Sequence, residues 1–277
     1  MDRFFIAIIF LFSSFFYGQS GISSSRYTAN NKGKFFVFWG GNNETYSKSD
    51  IRFVGKIYDF TLYDVTAADR PKGWHIDYLN PARMTIPQTN LKIGYYVNNH
   101  YNVAIGVDHM KYVMNQNVPV SISGNYPNPG SYGELLPNNQ VLLTPKFLAF
   151  EHTDGLNFVN IEVSRIDDFS SIFRIKNTDK IQINLTEGLG LGFLYPKTNA
   201  ELLGGENYDD YNVAGFGVSA KVGLNITFFK YFFIQTELKG GYIEMNAIRT
   251  TENPDDRAMQ NFYFFQKIVA FGGIFRL

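Results

Sequence analysis

The sequence predicts an all-β fold, namely a closed antiparallel transmembrane β-barrel of eight strands with long extracellular loops; ten strands is the alternative. Three observations predict this fold. Aromatic residues make up 17% of the 277 residues, long segments alternate between apolar and polar residues, and short turns alternate with long connections. Side chains facing lipid and lumen alternate along a strand that crosses a bilayer, which produces this pattern.

Composition excludes several classes of function. The formal net charge is zero, whereas a nucleic-acid-binding protein usually carries a basic surface. We therefore expect no nucleic-acid partner. Cysteine is absent, so the chain has no disulfide framework, thiolate metal ligand or thiolate nucleophile. The sequence predicts no cofactor and no metal site.

The N-terminus has the features of a secretory signal peptide. Arg3 precedes an apolar run over residues 4–16, and small residues follow at Gly18 and Ser20. The run is shorter than the ~20 apolar residues that a membrane-spanning helix needs. We therefore predict an exported protein of the Gram-negative outer membrane with three parts: a cleaved signal peptide (1–20), a short periplasmic segment (21–32) and the barrel (33–277).

The clearest alternation lies in the C-terminal half. Within residues 212–228 one parity is apolar and the other is small or polar. Residues 181–195 alternate in the same way, except that Glu187 interrupts the apolar parity and is expected at a bulge or a rim position. These runs reach the ~9 to 11 residues that a tilted strand needs to cross a bilayer, which favours a membrane barrel over a soluble sandwich.

Turn residues set the boundaries of the predicted strands, because barrels of this kind have short periplasmic turns and long external loops. Short turns are expected at 98–100, 176–180 and 229–231, and external loops at 47–86, 116–155, 198–209 and 251–256. The predicted strands are residues 33–46, 87–98, 101–115, 156–173, 180–197, 210–229, 231–250 and 257–277. Segments 51–63 and 142–150 also have strand character, and either extend the barrel outward or raise the count to ten.

The interior of an eight-stranded barrel is just wide enough for side chains to fill it. Parity directs charged residues of both signs toward the lumen, where we expect ion pairs; they are Lys92, Asp108, Glu162, Lys221, Glu237 and Lys239. The sequence therefore predicts a plugged barrel rather than an open porin. The alternating glycines at 188–192 lie inside a predicted strand and open no helix, so they do not form a phosphate-binding loop.

Two short stretches carry candidate catalytic chemistry at the predicted outer rim. Glu151, His152 and Asp154 precede the strand that starts at 156, and Asp108 and His109 lie in the strand that ends at 115. A histidine beside a carboxylate can act as a general base. These five residues are the catalytic candidates if the protein is an enzyme.

The first stretch resembles the lipid A deacylases, eight-stranded barrels with a His-x-Ser-Asn-Ala-Gly sequence leading into a strand. His152 matches the histidine of that family and Gly155 its turn, whereas Asp154 stands in place of the nucleophilic serine. The resemblance implies a hydrolase that modifies lipid A. The missing hydroxyl favours a protein that is not an enzyme, in which His152 has a structural role.

The C-terminal strand carries a further indication. Val269, Phe271, Phe275 and Leu277 share one face of a strand that ends the chain. This resembles the assembly signal of outer-membrane proteins, and the whole architecture resembles the OmpA, OmpW and lipid A deacylase class. The resemblance implies contacts with outer-membrane lipid, lipopolysaccharide and the assembly machinery, and we expect a monomer. We favour surface loops with a binding or structural role; the alternatives are a lipid A-modifying hydrolase and a narrow channel for small solutes.

Overall fold

The computed structural model describes residues 30–71 and 88–277. The predicted signal peptide and most of the segment at 21–32 lie outside these residues. The strands are β1 (Phe35–Tyr46), β2 (Ser49–Gly55), β3 (Tyr58–Val65), β4 (Ala67–Ala68), β5 (Thr89–Tyr96), β6 (Tyr101–Met114), β7 (Pro119–Asn125), β8 (Leu135–Leu136), β9 (Gln140–Leu142), β10 (Leu148–Asp168), β11 (Ile181–Leu194), β12 (Lys197–Leu202), β13 (Tyr208–Tyr211), β14 (Gly215–Phe228), β15 (Phe232–Arg249) and β16 (Arg257–Phe275). Within the described ranges, no helix is long and apolar enough to cross a membrane.

Eight of these strands form a closed hydrogen-bonded ring. Their order is β1-β5-β6-β10-β11-β14-β15-β16, and β16 pairs with β1 to close it. Every pair in the ring is antiparallel. The predicted eight-stranded antiparallel barrel is therefore confirmed.

The strands of the ring are staggered, as closure requires. Paired residues followed around the ring from Phe35 pass through Val103 and Leu189 and return to β1 at Thr45, ten residues farther along the strand. A stagger of this kind tilts the strands relative to the barrel axis. The strands of the ring therefore run obliquely around the wall of the barrel.

Strand β10 begins at Leu148 rather than at the predicted residue 156. Its pairing with β6 shifts between His152 and Leu156, and the intervening residues form a bulge in which Gly155 has a φ of +135°. A bulge interrupts the alternation of side chains, so the continuity of the strand is hidden in the sequence.

Glu187 was expected at a bulge or at a rim position, and the structure has no bulge there. Strand β11 pairs without a register shift with β10 on one side and β14 on the other. Glu187 therefore keeps the outward parity of Leu185 and Leu189 in a regular strand.

The two ends of the barrel differ. Short turns and the connection from β10 to β11 lie at one end, which we call the turn end. At the other end, the loop end, β2 pairs with β16 and begins a sheet of order β2-β3-β7-β9-β8; β12 pairs with β10 and β13, and β4 pairs with β6. These strands and the adjoining ends of β6, β10, β15 and β16 form the loop-end domain. Segment 51–63 thus extends the barrel outward and does not raise the number of strands in the ring.

The loop-end domain has its own apolar core. This core contains large aromatic side chains that are almost completely buried, among them Phe53, Phe60, Tyr112, Phe147, Phe150 and Phe262. Phe53 stacks on Phe60 with ring centroids 5.2 Å apart. Burial of apolar surface on this scale is the main stabilising contribution to a folded domain.

The outer wall of the ring is a belt of exposed apolar side chains, which we call the apolar belt: Ile93, Val103, Ile105, Ile161, Val163, Leu189, Leu191, Val218, Leu224, Ile234, Leu238, Val269 and Phe271. Exposed aromatic residues flank it at the turn end (Tyr95, Tyr101, Phe232 and Phe275) and at the loop end (Phe193, Tyr195, Phe216 and Tyr263). An apolar belt between two aromatic girdles is the exterior of a barrel that lies in a bilayer.

Candidate functional site

Six charged side chains meet in the middle of the barrel and form what we call the charged layer: Lys92, Asp108, Glu162, Lys221, Glu237 and Lys239. They come from β5, β6, β10, β14 and β15, and each has the inward parity of its strand. Their side chains are at most 7% exposed. The residues that the sequence directs toward the lumen thus lie in one network.

Glu162 is the centre of the charged layer. Its carboxylate oxygens lie 2.9 Å from Lys92 Nζ, 2.7 Å from Lys221 Nζ and 2.6 Å from Lys239 Nζ. Glu237 lies 2.8 Å from Lys92 Nζ and 3.1 Å from Lys221 Nζ. Each lysine therefore contacts at least one carboxylate, which a charge held away from water requires.

Asp108 completes the charged layer next to Lys239, with which it forms an ion pair. It also accepts hydrogen bonds from the side-chain amides of Asn90, at 2.5 Å, and Asn160, at 3.0 Å. The inward parity of these two asparagines is the sequence signal that could have revealed them. The layer thus contains three cations and three anions, supported by neutral hydrogen-bond donors.

Inward-facing glycines leave space for the long charged side chains. A Cβ atom at Gly106 would lie 2.8 Å from Lys92 Cγ, and one at Gly190 would lie 3.2 Å from Glu162 Cγ. Both distances are shorter than ordinary van der Waals contact. Gly188, whose Cβ would lie 3.0 Å from Lys221 Cε, and Gly190 therefore accommodate the charged layer, whereas a Cβ at Gly192 would meet the backbone of β10.

The structure does not bring the five candidate catalytic side chains together. Asp108 faces the lumen, whereas His109, the next residue of β6, has the outward parity, and its Nδ1 lies 2.8 Å from Asn157 Oδ1. Successive residues of a strand point to opposite faces of the sheet. An adjacent acid and histidine in a regular strand are therefore separated by the barrel wall.

His152 lies inside the core of the loop-end domain and is 0% exposed. Its ring lies 5.1 Å from that of Phe150 and 5.7 Å from that of Tyr112, and its Nδ1 lies 3.1 Å from Thr198 Oγ1. His152 lies beyond the apolar belt, toward the loop end. Burial lowers the pKa of its imidazole to about 3. This imidazole stays neutral at ordinary pH and has no surface that a substrate could contact.

Glu151 and Asp154 form ion pairs on the outer surface of the loop-end domain. Glu151 lies 3.7 Å from Arg70, and Asp154 lies 3.1 Å from Lys197. Lys197 also lies 2.7 Å from Asp209. The hydrogen bond to Asp209, together with the bond to Asp154, raises the pKa of Lys197 to about 12. Both carboxylates therefore pair with surface cations, on the opposite side of the sheet from the buried imidazole.

No protein-family model and no curated protein matches the chain. Solved outer-membrane proteins are similar to it in structure. OprG from Pseudomonas aeruginosa is 8% identical, with 90% of this chain and 99% of that chain covered and a TM-score of 0.36. Neisserial surface protein A is 11% identical, with 87% and 97% covered and a TM-score of 0.34.

Ail of Yersinia pestis, the attachment invasion locus protein, is a third similar structure and was solved in complex with the heparin analogue sucrose octasulfate. It is 10% identical, with 88% of this chain and 99% of that chain covered and a TM-score of 0.31. At these scores the fold assignment rests on the chain's own strand pairing. The closed ring and the apolar belt are those of an outer-membrane β-barrel.

Proposed function

We propose that the protein is a non-conducting barrel of the outer membrane that displays the loop-end domain at the cell surface for a binding or structural role. The observation that carries the proposal is the charged layer, whose side chains are at most 7% exposed. An open porin needs a water-filled lumen, and an eight-stranded barrel with paired charges across its middle has none.

The apolar core of the loop-end domain forms a second barrier. Lys239 Nζ, in the charged layer, lies 5.6 Å from the centre of the Phe158 ring, and Phe158 belongs to the apolar core. The two barriers are therefore stacked one above the other. A hydrated ion would have to separate paired charges and then cross apolar side chains, and both steps are unfavourable.

The outer face of the sheet formed by β2, β3 and β7 supports a binding role. Arg52 donates two hydrogen bonds to Asp59, at 2.9 and 2.8 Å, and the hydroxyls of Tyr63 and Ser123 lie 2.7 Å apart. Side chains held by such bonds lose little further freedom when a ligand binds. We infer that this face contacts the surface partner, with lipopolysaccharide as one candidate.

The lipid and the assembly machinery are the other partners that we propose. Strand β16 exposes Val269, Phe271 and Phe275 on its outward face. In the membrane these side chains would contact lipid tails. Before the ring closes, the same strand would offer both an apolar face and a backbone edge to the machinery that inserts barrels.

Electrical recording tests the sealed lumen. The purified barrel, inserted into planar bilayers, should give no conductance steps, whereas a known open porin in the same bilayers should. Steps from the wild-type protein would overturn the proposal and favour the narrow channel.

Lipid A from cells with and without the protein should have the same mass spectrum, and a loss of acyl chains would favour the hydrolase.

Surface labelling tests which end of the barrel faces the outside of the cell. The sequence has no cysteine, so each variant carries a single thiol. Lys56→Cys places a thiol in the exposed turn between β2 and β3, and Lys176→Cys places one at the turn end. A membrane-impermeant maleimide added to intact cells should label the first variant and not the second. The reverse pattern would show that the loop-end domain faces the periplasm.

A further inference from the structure

Two carboxylates and two amides meet where the barrel joins the loop-end domain. We call them the acid–amide cluster: Glu44, Asp69, Gln88 and Gln266. The side-chain nitrogen of Gln88 donates hydrogen bonds to both acids, and it lies 2.6 Å from Asp69 Oδ1. Gln266 Nε2 donates to Glu44 Oε1 at 3.0 Å. A single atom therefore reaches both carboxylates, and a second amide is directed at Glu44.

The cluster lies where β1 loses one of its neighbours. Strand β5 begins at Thr89, which is opposite Gly41, so β1 continues toward the loop end without β5. There the backbone N–H of Glu44 donates instead to Asp69 Oδ2, at 2.8 Å. Gln266 comes from β16, on the other side of β1. The acid–amide cluster thus joins β1 and β16 to the two ends of the connection between β4 and β5.

The two acids have no cationic side chain beside them. Among the residues that the structure describes, neither Glu44 nor Asp69 forms an ion pair with a lysine, an arginine or a histidine. Arg70, which follows Asp69 in sequence, lies 3.7 Å from Glu151 instead. Glu44 is only 5% exposed, and the charges that act on it most strongly are two further acids, Asp69 and Asp108. Buried charges are usually paired or coordinate a metal.

The two amides carry oxygen atoms without partners. Gln88 and Gln266 are both 0% exposed, and among the described residues nothing donates a hydrogen bond to the Oε1 of either one. Buried polar atoms are normally satisfied. A half-turn of an amide exchanges its nitrogen and its oxygen with little change in shape. Both glutamines can therefore turn an unused oxygen toward the two acids.

We propose that the acid–amide cluster binds one calcium ion, with Glu44 and Asp69 as anionic ligands and the amide oxygens of Gln88 and Gln266 as neutral ones. Calcium binds about six to eight oxygens at ~2.3–2.6 Å in a flexible arrangement. Two carboxylates balance its double charge, and the partly exposed Asp69 gives it a path to the site. Magnesium fits less well, because it needs a near-ideal octahedron and keeps several waters.

The site departs from the sequence prediction of no metal site, and its composition explains why spacing does not reveal it. In the described ranges, no three His, Asp or Glu side chains are grouped as metal ligands. Two of the proposed ligands are neutral amides, and the four residues are far apart in sequence. Their grouping depends on the pairing of β1 with β16 and on the hydrogen bonds of Gln88.

The acidic stretch at residues 206–210 shows the contrast. Glu206 and Asp210 are exposed to solvent, and Asp209 lies 2.7 Å from Lys197. Water and a lysine balance these charges, so this stretch does not require a metal ion. Glu206→Gln removes an acid from it and is the matched control for a change in the acid–amide cluster.

Calcium titration of the purified protein in detergent, freed of lipopolysaccharide and treated with a chelator, tests the site. Calcium should raise the urea midpoint of the wild type and of Glu206→Gln, because a ligand that binds only the folded state stabilises it. Glu44→Gln should not respond. A wild-type midpoint that calcium leaves unchanged would overturn the proposal and favour a proton shared by the two acids. An equal response to magnesium would overturn the choice of calcium.

The order of stabilities separates binding from a structural role of Glu44. With chelator, Glu44→Gln should be at least as stable as the wild type, because the repulsion between two acids is gone; with calcium the order should reverse. A variant equally weakened under both conditions would overturn the proposal.

Terbium binding gives a readout that does not depend on unfolding. Terbium takes the place of calcium and emits when a nearby tyrosine is excited, and Tyr46 lies two residues from Glu44 on β1. Asp69→Asn should raise the Kd for terbium at least tenfold, which corresponds to about 1.4 kcal/mol. An affinity equal to that of the wild type would exclude Asp69 as a ligand and overturn the proposed site.

Discussion

The barrel and the loop-end domain share the strands β6, β10, β15 and β16, yet the middle of the barrel and the interior of the loop-end domain differ in polarity. The middle of the barrel holds the charged layer, an apolar cluster that includes Phe36, Phe38 and Phe233 fills its interior next to that layer, and its exterior is the apolar belt. The interior of the loop-end domain is apolar, and its exterior carries polar side chains such as Arg52 and Asp59. Both regions keep these apolar side chains away from water. Those of the apolar belt face lipid, and those of the loop-end domain pack in a protein core.

Strand β10 shows where one pattern replaces the other. Its inward residues are polar in the barrel, at Glu162 and Asn160, and become apolar toward the loop end, at Phe158 and Leu156. The strand stays continuous through this change. Inward and outward are thus set by the strand's parity, whereas the polarity of the interior changes along the strand, since Ile166 on the turn-end side is again apolar and buried.

Removing the central carboxylate should cause the largest loss of stability. Glu162→Gln leaves the three buried lysines with only two carboxylates, those of Asp108 and Glu237. Breaking a buried charge network of this kind lowers the free energy of unfolding by about 3 to 5 kcal/mol. Unfolding by urea in lipid vesicles measures the change. The control is Asp210→Asn, an exposed acid that should unfold like the wild type. A loss no greater than that of the control would show that the charged layer does not hold the barrel together.

Truncation in the apolar core should cost somewhat less and should act locally. Phe53→Ala removes a fully buried ring that contacts Phe60 and Phe150, and such changes cost about 3 kcal/mol. Limited proteolysis should show faster cleavage within the loop-end domain, while heat-modifiable migration of the barrel stays unchanged. Phe271→Ala, on the lipid-facing wall, is the matched control. Faster cleavage at the turn end would contradict the prediction that the barrel and the loop-end domain are stabilised separately.

Acid should weaken the loop-end domain through His152. The folded pKa of about 3 lies below the ordinary value, so the unfolded chain binds a proton first and stability falls as pH drops below about 6.5. The contribution amounts to roughly 2 kcal/mol between pH 7 and pH 5. Proteolysis rates of the wild type and of His152→Gln are compared between pH 7 and pH 5. The difference between them gives the contribution of His152 separately from that of the carboxylates. Parallel profiles would show that His152 does not contribute to the acid sensitivity.

The exposed pair on the loop-end domain should matter least for stability. Arg52 and Asp59 are about half exposed, and exposed ion pairs contribute little because solvent screens them. Arg52→Ala, Asp59→Ala and the double variant should therefore unfold like the wild type. A double-mutant cycle with a clear coupling energy would place this pair among the structural interactions of the domain.

Sequence periodicity predicted the ring well because a bilayer imposes one rule on every strand that crosses it. The ends of β15 and β16 fall close to their predicted positions, and the inward lysines and glutamates follow from parity alone. The loop-end domain was less predictable. Strands β7 and β9 are short, and their pairing depends on distant partners rather than on a local pattern.

The candidate site shows the same limit. Glu151, His152 and Asp154 were grouped because they are close in sequence, but parity puts the imidazole inside and Glu151 outside, and the bulge that follows was not visible in the pattern. Glu187 was noticed as an interruption of the pattern. Its true position, in a regular strand on the lipid-facing wall, required the pairing of both neighbouring strands.

Strand β16 completes two closures with one segment. It pairs with β1 along the barrel and, through residues 257–260, with β2 of the loop-end domain. Both partners precede β16 by about 200 residues, so they are synthesised long before the strand that pairs with them. Strands β1 and β2 keep open edges until β16 pairs with them, and contacts this distant in sequence form slowly. The pairing of β16 therefore decides when both regions become complete.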